Sequence, residues 1–303
     1  MVSSTRFFTT LLIGATAIVA SPTLVSRAGV TPLSAQEIAS YEPYALLARA
    51  AYCSPAQLRT WSCGTACNAL PGMQEVVSQG NAAQSHWFVG YYPTLNTIVV
   101  SNQGTAPNDF VASLTDADFV QIPLNPVLFP GVPLSVQVHS GFALDQAATA
   151  SGKLTAVQAL KTKYPSASIT LVGLGHGGAI SFLDAIYFKL HIPGVVIKVV
   201  THGMPRVGNQ AFANYIDSNL SDVSRITNMK DVVPILPGRF LGYVHSSGEK
   251  HILSPGNWVA CAGQDNNDQQ CSTGDVLNIF SGNVNDNPGP YEGIIIDGTA
   301  CNA

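Results

Sequence analysis

A short β-branched run, Ile169 to Val172, sits between Ser168 and a cluster of glycines at positions 173, 175, 177 and 178, and an apolar helical pattern from about Gly178 to Leu190 follows at once. Strand, tight turn and helix in that order admit few folds. Other segments repeat the alternation. His86 to Tyr92 and Thr97 to Ser101 read as strands, and Gly141 to Tyr164 as a long helix with Leu144, Ala148, Leu154, Val157, Leu160 and Tyr164 at helical intervals. Val196 to Thr201 is a further apolar strand, Gln210 to Ser218 a helix, and Arg225 to Asn228 the end of another strand. Continuous apolar strands alternating with helices imply parallel pairing in an α/β fold. In such sheets ligands gather beyond the carboxyl ends of the strands, so chemistry is expected just after Val172.

The amino-terminal residues set the expected compartment. Arg6 precedes an apolar stretch from Phe7 to Ala20 that ends in small residues, which reads as a signal peptide over residues 1–20. The stretch is too short to span a membrane, and no other run reaches the ~18 to 20 apolar residues required. Residues 21–31 read as a short propeptide or flexible N-terminus, and residues 32–303 as one domain. Charged residues make up only 11% of the chain, the net charge is -4, and there is no basic run. Neither nucleic acid nor an anionic membrane surface is an expected partner. Six cysteines, an even count in a chain bound for an oxidising compartment, imply disulfides. Zinc is set aside because Cys63 and Cys67 lack a second close pair of ligands. Asn219, Leu220 and Ser221 form the one N-glycosylation sequon.

At the expected site the chain reads Leu171, Val172, Gly173, Leu174, Gly175, His176, Gly177, Gly178, Ala179. This is the frame of a nucleophile elbow, where a strand turns sharply into a helix and presents its central residue in a strained backbone conformation. The central residue here is Gly175. Taken alone, such a turn equally fits a phosphate-binding loop. Its neighbours narrow the choice: Thr201, His202, Gly203, Met204, Pro205, Arg206, Val207, Gly208, Asn209 at one strand end, and Asn228, Met229, Lys230, Asp231, Val232, Val233, Pro234 at the next.

With these ordered motifs the chain, from about Tyr41 to Cys301, resembles the secreted fungal class 3 lipases, a family of α/β-hydrolases that includes lipases and feruloyl esterases. The resemblance implies a mainly parallel central sheet with helices on both faces and a Ser, Asp, His triad in that chain order. Carried over by position, the nucleophile falls on Gly175, the acid on Asp231 and the base on Asn287. Of the seven histidines, His86, His139, His176, His191, His202, His245 and His251, none follows position 251 to take the usual place. Thr105 and the backbone N–H of His176 are the implied oxyanion donors, and Phe110, Val111 and Leu114 the implied lid. Leu124, Val127, Leu128, Phe129 and Val132 fit an acyl groove or core packing equally. His139 and His176 are expected to be structural, and Cys53–Cys301, Cys63–Cys67 and Cys261–Cys271 are the implied bridges.

Ester cleavage in this family needs an oxygen nucleophile whose proton passes to an imidazole and then to the leaving alcohol. Glycine has no such oxygen, and an asparagine amide does not titrate near neutral pH. Loss of a triad member leaves at best ~10³ to 10⁴-fold catalysis over water. Two readings follow. One is a pseudo-lipase that binds an acyl or aromatic ester-like small molecule, or another protein, or meets a lipid interface, without turnover. The other is an active carboxylic ester hydrolase with a non-standard nucleophile and base. Both are expected to be monomeric, with no cofactor and no metal.

Overall fold

The computed structural model describes residues 29–81, 84–106 and 119–302, together with Met1, Asn108 and Asp109. Apart from Met1, the expected leader lies outside the described residues, and so do the implied lid residues Phe110, Val111 and Leu114.

The strands, in chain order, are β1 (Val30–Pro32), β2 (Gln74–Asn81), β3 (Gln84–Tyr92), β4 (Thr97–Asn102), β5 (Gln121–Pro123), β6 (Gln137–His139), β7 (Ser168–Leu174), β8 (Ile197–His202), β9 (Gly208–Asn209), β10 (Val223–Asn228), β11 (Tyr243–Val244), β12 (Glu249–Ser254) and β13 (Asn257–Cys261). Among the described residues, the central sheet has nine strands in the order β1-β13-β12-β10-β8-β7-β4-β3-β2. Its middle, from β4 through β7, β8 and β10 to β12, is parallel, and both flanks are antiparallel. Helices cover both faces, and the fold is that of an α/β-hydrolase. A smaller antiparallel sheet, β11-β9-β6-β5, lies apart from it.

The alternation of side chains along each strand feeds two cores. Val89, Ile98, Val100, Ile169, Leu171 and Val199 pack under the helices Ser140–Lys163 and His176–His191. Phe88, Val99, Val172, Val200 and Ile226 point the other way, against the helix Glu42–Ala50 and the chain end near Cys301. Full burial of each such side chain is worth about 1.5 to 3 kcal/mol against leaving it in water.

Two details fix the helices that frame the site. The Ser140–Lys163 helix begins where Gly141 N donates to the His139 imidazole Nδ1 at 3.1 Å, an N-cap made by histidine. It stops at Tyr164, immediately before Pro165, whose ring disfavours helical geometry in the preceding residue. The His176–His191 helix is buried along most of its length, including Asp184. That carboxylate meets Lys153 Nζ of the neighbouring helix at 2.7 Å with both side chains almost wholly buried, and it also accepts from Gln146 and Asn102. Because Asn102 ends β4, the network ties that strand to both helices.

Disulfides join Cys53 to Cys301, Cys63 to Cys67, and Cys261 to Cys271. No helix among the described residues is long and apolar enough to cross a membrane.

Candidate active site

β7 ends at Leu174, and Gly175 then takes φ 51 and ψ -118 before the helix starts at His176. A side chain disfavours that backbone region, and glycine occupies it without the Cβ penalty. Space is not the obstacle. A Cβ built on Gly175 would meet only Asn287 Oδ1 at 3.5 Å and the Gly203 carbonyl at 4.0 Å, ordinary contacts. The turn is held close to its neighbours, since a Cβ on Gly177 would fall 2.1 Å from the Asn102 carbonyl. Gly175 N donates to the His202 carbonyl at 2.8 Å, which registers the turn against β8.

Asp231 follows β10, and Asn287 follows the short 3-10 turn Val284–Asp286. The Asn287 amide Nδ2 donates to Asp231 Oδ2 at 2.8 Å and to the Gly203 carbonyl at 3.0 Å, and Val233 N donates to Asp231 Oδ1 at 2.9 Å. Asp231 and Asn287 are both buried. Gly203 is needed for this arrangement, because a Cβ there would stand 2.2 Å from the Asn287 amide nitrogen and 2.7 Å from the Asp231 carboxylate. Burial pushes the Asp231 carboxyl well above the usual carboxylate range, outweighing the hydrogen bonds from Asn287 and Val233 that favour its charged form. The Tyr291 hydroxyl donates to the Asn287 carbonyl at 2.8 Å, and burial raises that phenol too.

The histidines have other partners. His202 is fully buried with its ring 4.7 Å from that of Tyr291, and burial lowers it to about 3, so it is a neutral imidazole at physiological pH. His245 stands at 2.8 Å from the Pro234 carbonyl, His191 at 2.8 Å from the Leu128 carbonyl, and His251 at 2.8 Å from the Thr227 hydroxyl. Among the described residues, the side chain that hydrogen-bonds to the Asp231 carboxylate is an amide, where a lipase would need an imidazole.

Thr105 and His176 come together on another side of the turn. The Thr105 hydroxyl is 3.5 Å from His176 Nδ1, and His176 Nε2 is 2.8 Å from Asp145 Oδ2. The Phe142 ring meets the same imidazole edge-on, with centroids 5.5 Å apart. Asn219 closes the Gln210–Asn219 helix, half-buried, its amide donating to the Tyr215 carbonyl at 2.8 Å.

Sequence reasoning missed a groove of about 630 Å³ walled by Phe119, Ile235, Leu236, Phe240, Leu241, Val276, Leu277 and Ile279. It lies between the segment that follows Asp231 and the segment that precedes Asn287. Phe240 and Leu277 are 90% and 77% exposed. Arg206 supports its floor: buried, it pairs with Asp265 at 2.8 Å and donates to the backbone carbonyls of Ile235 and Pro237. The signal was two apolar runs, Ile235 to Leu241 and Val276 to Phe280, broken by proline and glycine or by polar residues, with no helical or strand period. In the segment that fitted an acyl groove or core packing equally, Leu124 and Phe129 are buried in the core while Val127 is exposed.

A family model described as Lipase (class 3) matches residues 99–241. The secreted mono- and diacylglycerol lipase MDL2 of Malassezia globosa is 29% identical over 172 residues, 56% of this chain and 57% of that protein. A lipase of Rhizomucor miehei is 29% identical over 231 residues, 74% of this chain and 61% of its own length. The chain spans a little over half the length of the first curated relatives it matches. Among solved structures, lipase II from Rhizopus niveus superposes with a TM-score of 0.78 at 24% identity, covering 90% of this chain and all of that one. The lipase from Rhizopus microsporus var. chinensis gives 0.77 at 25% identity, covering 96% of this chain and all of that one.

Proposed function

Because the chain belongs to the class 3 lipase family, we propose that it is an extracellular member whose lipase triad is dismantled, a pseudo-lipase that binds acyl or ester-like ligands without turning them over. The observation that carries this reading is the hydrogen bond from the Asn287 amide to Asp231 beside Gly175. An imidazole would accept a proton there and return it, whereas the amide can do neither. The groove walled by residues 235–241 and 276–279 has a volume within the ~300 to 1,000 Å³ usual for small-molecule sites, and its apolar walls suit an acyl chain.

The same reading assigns residues 1–20 to a signal peptide and residues 32–303 to one domain. It makes Thr105 and the His176 N–H oxyanion donors, Phe110, Val111 and Leu114 a lid, and Asn219 a glycan acceptor. Relatives named as secreted lipases support export of the chain.

The test compares the unmodified protein with Gly175→Ser, Asn287→His and the double variant on short- and long-chain p-nitrophenyl esters. Sustained hydrolysis is expected in the double variant alone, while a fluorescent fatty acid binds all four proteins. Continuous turnover by the unmodified protein at ordinary enzyme rates would falsify the reading, and so would failure to bind any acyl probe.

A further inference from the structure

Among the described residues that line the apolar groove, two are arginines and none is an aspartate or a glutamate. The guanidinium of Arg206 is already bonded to Asp265, to Thr273 and to the carbonyls of Ile235 and Pro237. That of Arg239 is not: among the described residues it makes no hydrogen bond or ion pair, and the side chain stands exposed at the groove. We propose that Arg239 makes this groove a site for long-chain carboxylates, the ionised fatty acids, in preference to neutral esters carrying the same chain. The inference rests on the reading that the groove takes acyl chains, and it adds the chemistry of the head group.

The turn that carries Arg239 is held from several sides. Leu241 N donates to the Gly238 carbonyl at 3.0 Å and Gly242 N to the Arg239 carbonyl at 2.9 Å, and Gly242 ends the turn at φ 83, a conformation that suits glycine. A Cβ built on Gly238 would fall 2.3 Å from the Phe240 ring, so the bare backbone at 238 is what lets that ring lie there. Arg206 holds the carbonyls just before the turn, and Gln121 Nε2 donates to the Leu241 carbonyl at 3.2 Å just after it. A cation and an aromatic ring are thus fixed next to one another in sequence on one wall. Ligand sites are mostly apolar, with a few polar groups that set orientation. Here the wall offers the alkyl chain its contacts, and the guanidinium offers a planar fork that matches the two oxygens of a carboxylate. An ester carries no charge to meet it. The chain as a whole carries a net charge of -4, so the preference comes from this local cation and not from the overall field. The ligand so selected is what ester hydrolysis releases, and a reaction of that class must supply it.

The experiment is isothermal titration calorimetry of the unmodified protein near neutral pH with decanoate, decanol, methyl decanoate and decylamine, each kept below the concentration at which it aggregates. Decanoate is expected to bind about tenfold more tightly than the two neutral probes, the scale of one charge-assisted hydrogen bond at an exposed edge, and the cationic amine more weakly than either. Arg239→Gln should abolish the advantage of decanoate and leave decanol unchanged. Arg239→Lys should keep part of it, because the charge survives without the fork. Leu277→Asn should weaken decanoate, decanol and the methyl ester alike, which marks the groove as the seat of the chain. Since Arg239 is exposed, its variants should melt like the parent. Equal affinity for decanoate and decanol, an Arg239→Gln variant that retains the preference, or binding untouched by Leu277→Asn overturns the proposal. The first two results leave the groove as an acyl site without a head-group contact, whereas failure of every probe to bind overturns the acyl-binding reading as well.

Discussion

Asp231 faces the Asn287 amide, at the position where the proposed reading expects an imidazole in an active lipase. In a triad the acid faces a group that becomes cationic, which favours the carboxylate. Here its partners are an amide and a backbone N–H, and desolvation dominates. The folded chain therefore holds this proton more tightly than the unfolded chain, whose aspartates titrate near ~3.9. Linkage then gives the sign: between roughly pH 4 and the raised value the native state binds more protons, so this group's contribution is full in acid and is lost as pH rises through that raised value. His202, lowered by burial, acts in the opposite sense, its contribution disappearing as pH falls from about 6.5 towards 3. Comparing Asp231→Asn with the parent isolates the first effect. Thermal melts between pH 4 and 8 should show the variant gaining stability on the parent as pH rises; parallel curves would contradict this account. Positions 175, 231 and 287 could be found from the order of motifs along the chain. The bond between the last two, and the need for Gly203 beneath it, could not, because sequence spacing does not reveal which side chains share a buried partner.

At the scale of elements, the link between Lys153 and Asp184 shows how the two long helices and β4 are kept in register around the turn. Lys153 falls among the apolar intervals of its helix yet is fully buried, its charge disfavoured by desolvation and sustained chiefly by Asp184. Removing one partner strands a buried charge. Asp184→Leu or Lys153→Met alone should cost about 3 to 5 kcal/mol in urea unfolding, whereas the Lys153→Met, Asp184→Leu double variant should lose far less, since an apolar pair of similar volume avoids desolvation. Additive losses would show that packing, not charge, dominates there. The elements that could be read from the sequence are those whose side chains report burial simply. The run Ile169 to Val172 became β7, and the interval pattern from Gly141 to Tyr164 became a helix beginning one residue earlier. β12 was not legible because Glu249 and His251 are buried by polar contacts with Arg225, Thr227 and Ser272, which hides the apolar period. β2 is masked by its glutamines, and the small second sheet by strands of two or three residues.

For the molecule as a whole, the Cys53–Cys301 bridge joins positions 248 apart and ties an amino-terminal segment to the far end of the described chain. Closing so long a loop restricts the unfolded ensemble by about 5 kcal/mol in the chain-entropy picture, against far less for Cys63–Cys67, four positions apart. Replacing both Cys53 and Cys301 by serine should lower the urea midpoint much more than replacing Cys63 and Cys67. An equal effect would mean that local strain or packing governs both. The α/β architecture was legible because the alternation of strands and helices is a property of the whole chain. The groove was not, since its walls come from segments without periodic structure that meet only after the sheet has formed.

On the pseudo-lipase reading, the backbone at Gly175 bears on how the chain could come to hydrolyse esters. A serine there would have to adopt a positive φ, at a cost of about 1 to 3 kcal/mol, and would find no imidazole to activate it. A histidine at 287 would first have to give up the amide's bond to the Gly203 carbonyl, with no hydroxyl to serve. On that reading each single step loses stability before any rate is gained, so the conformation would work as a ratchet that makes the road to hydrolysis a two-step crossing.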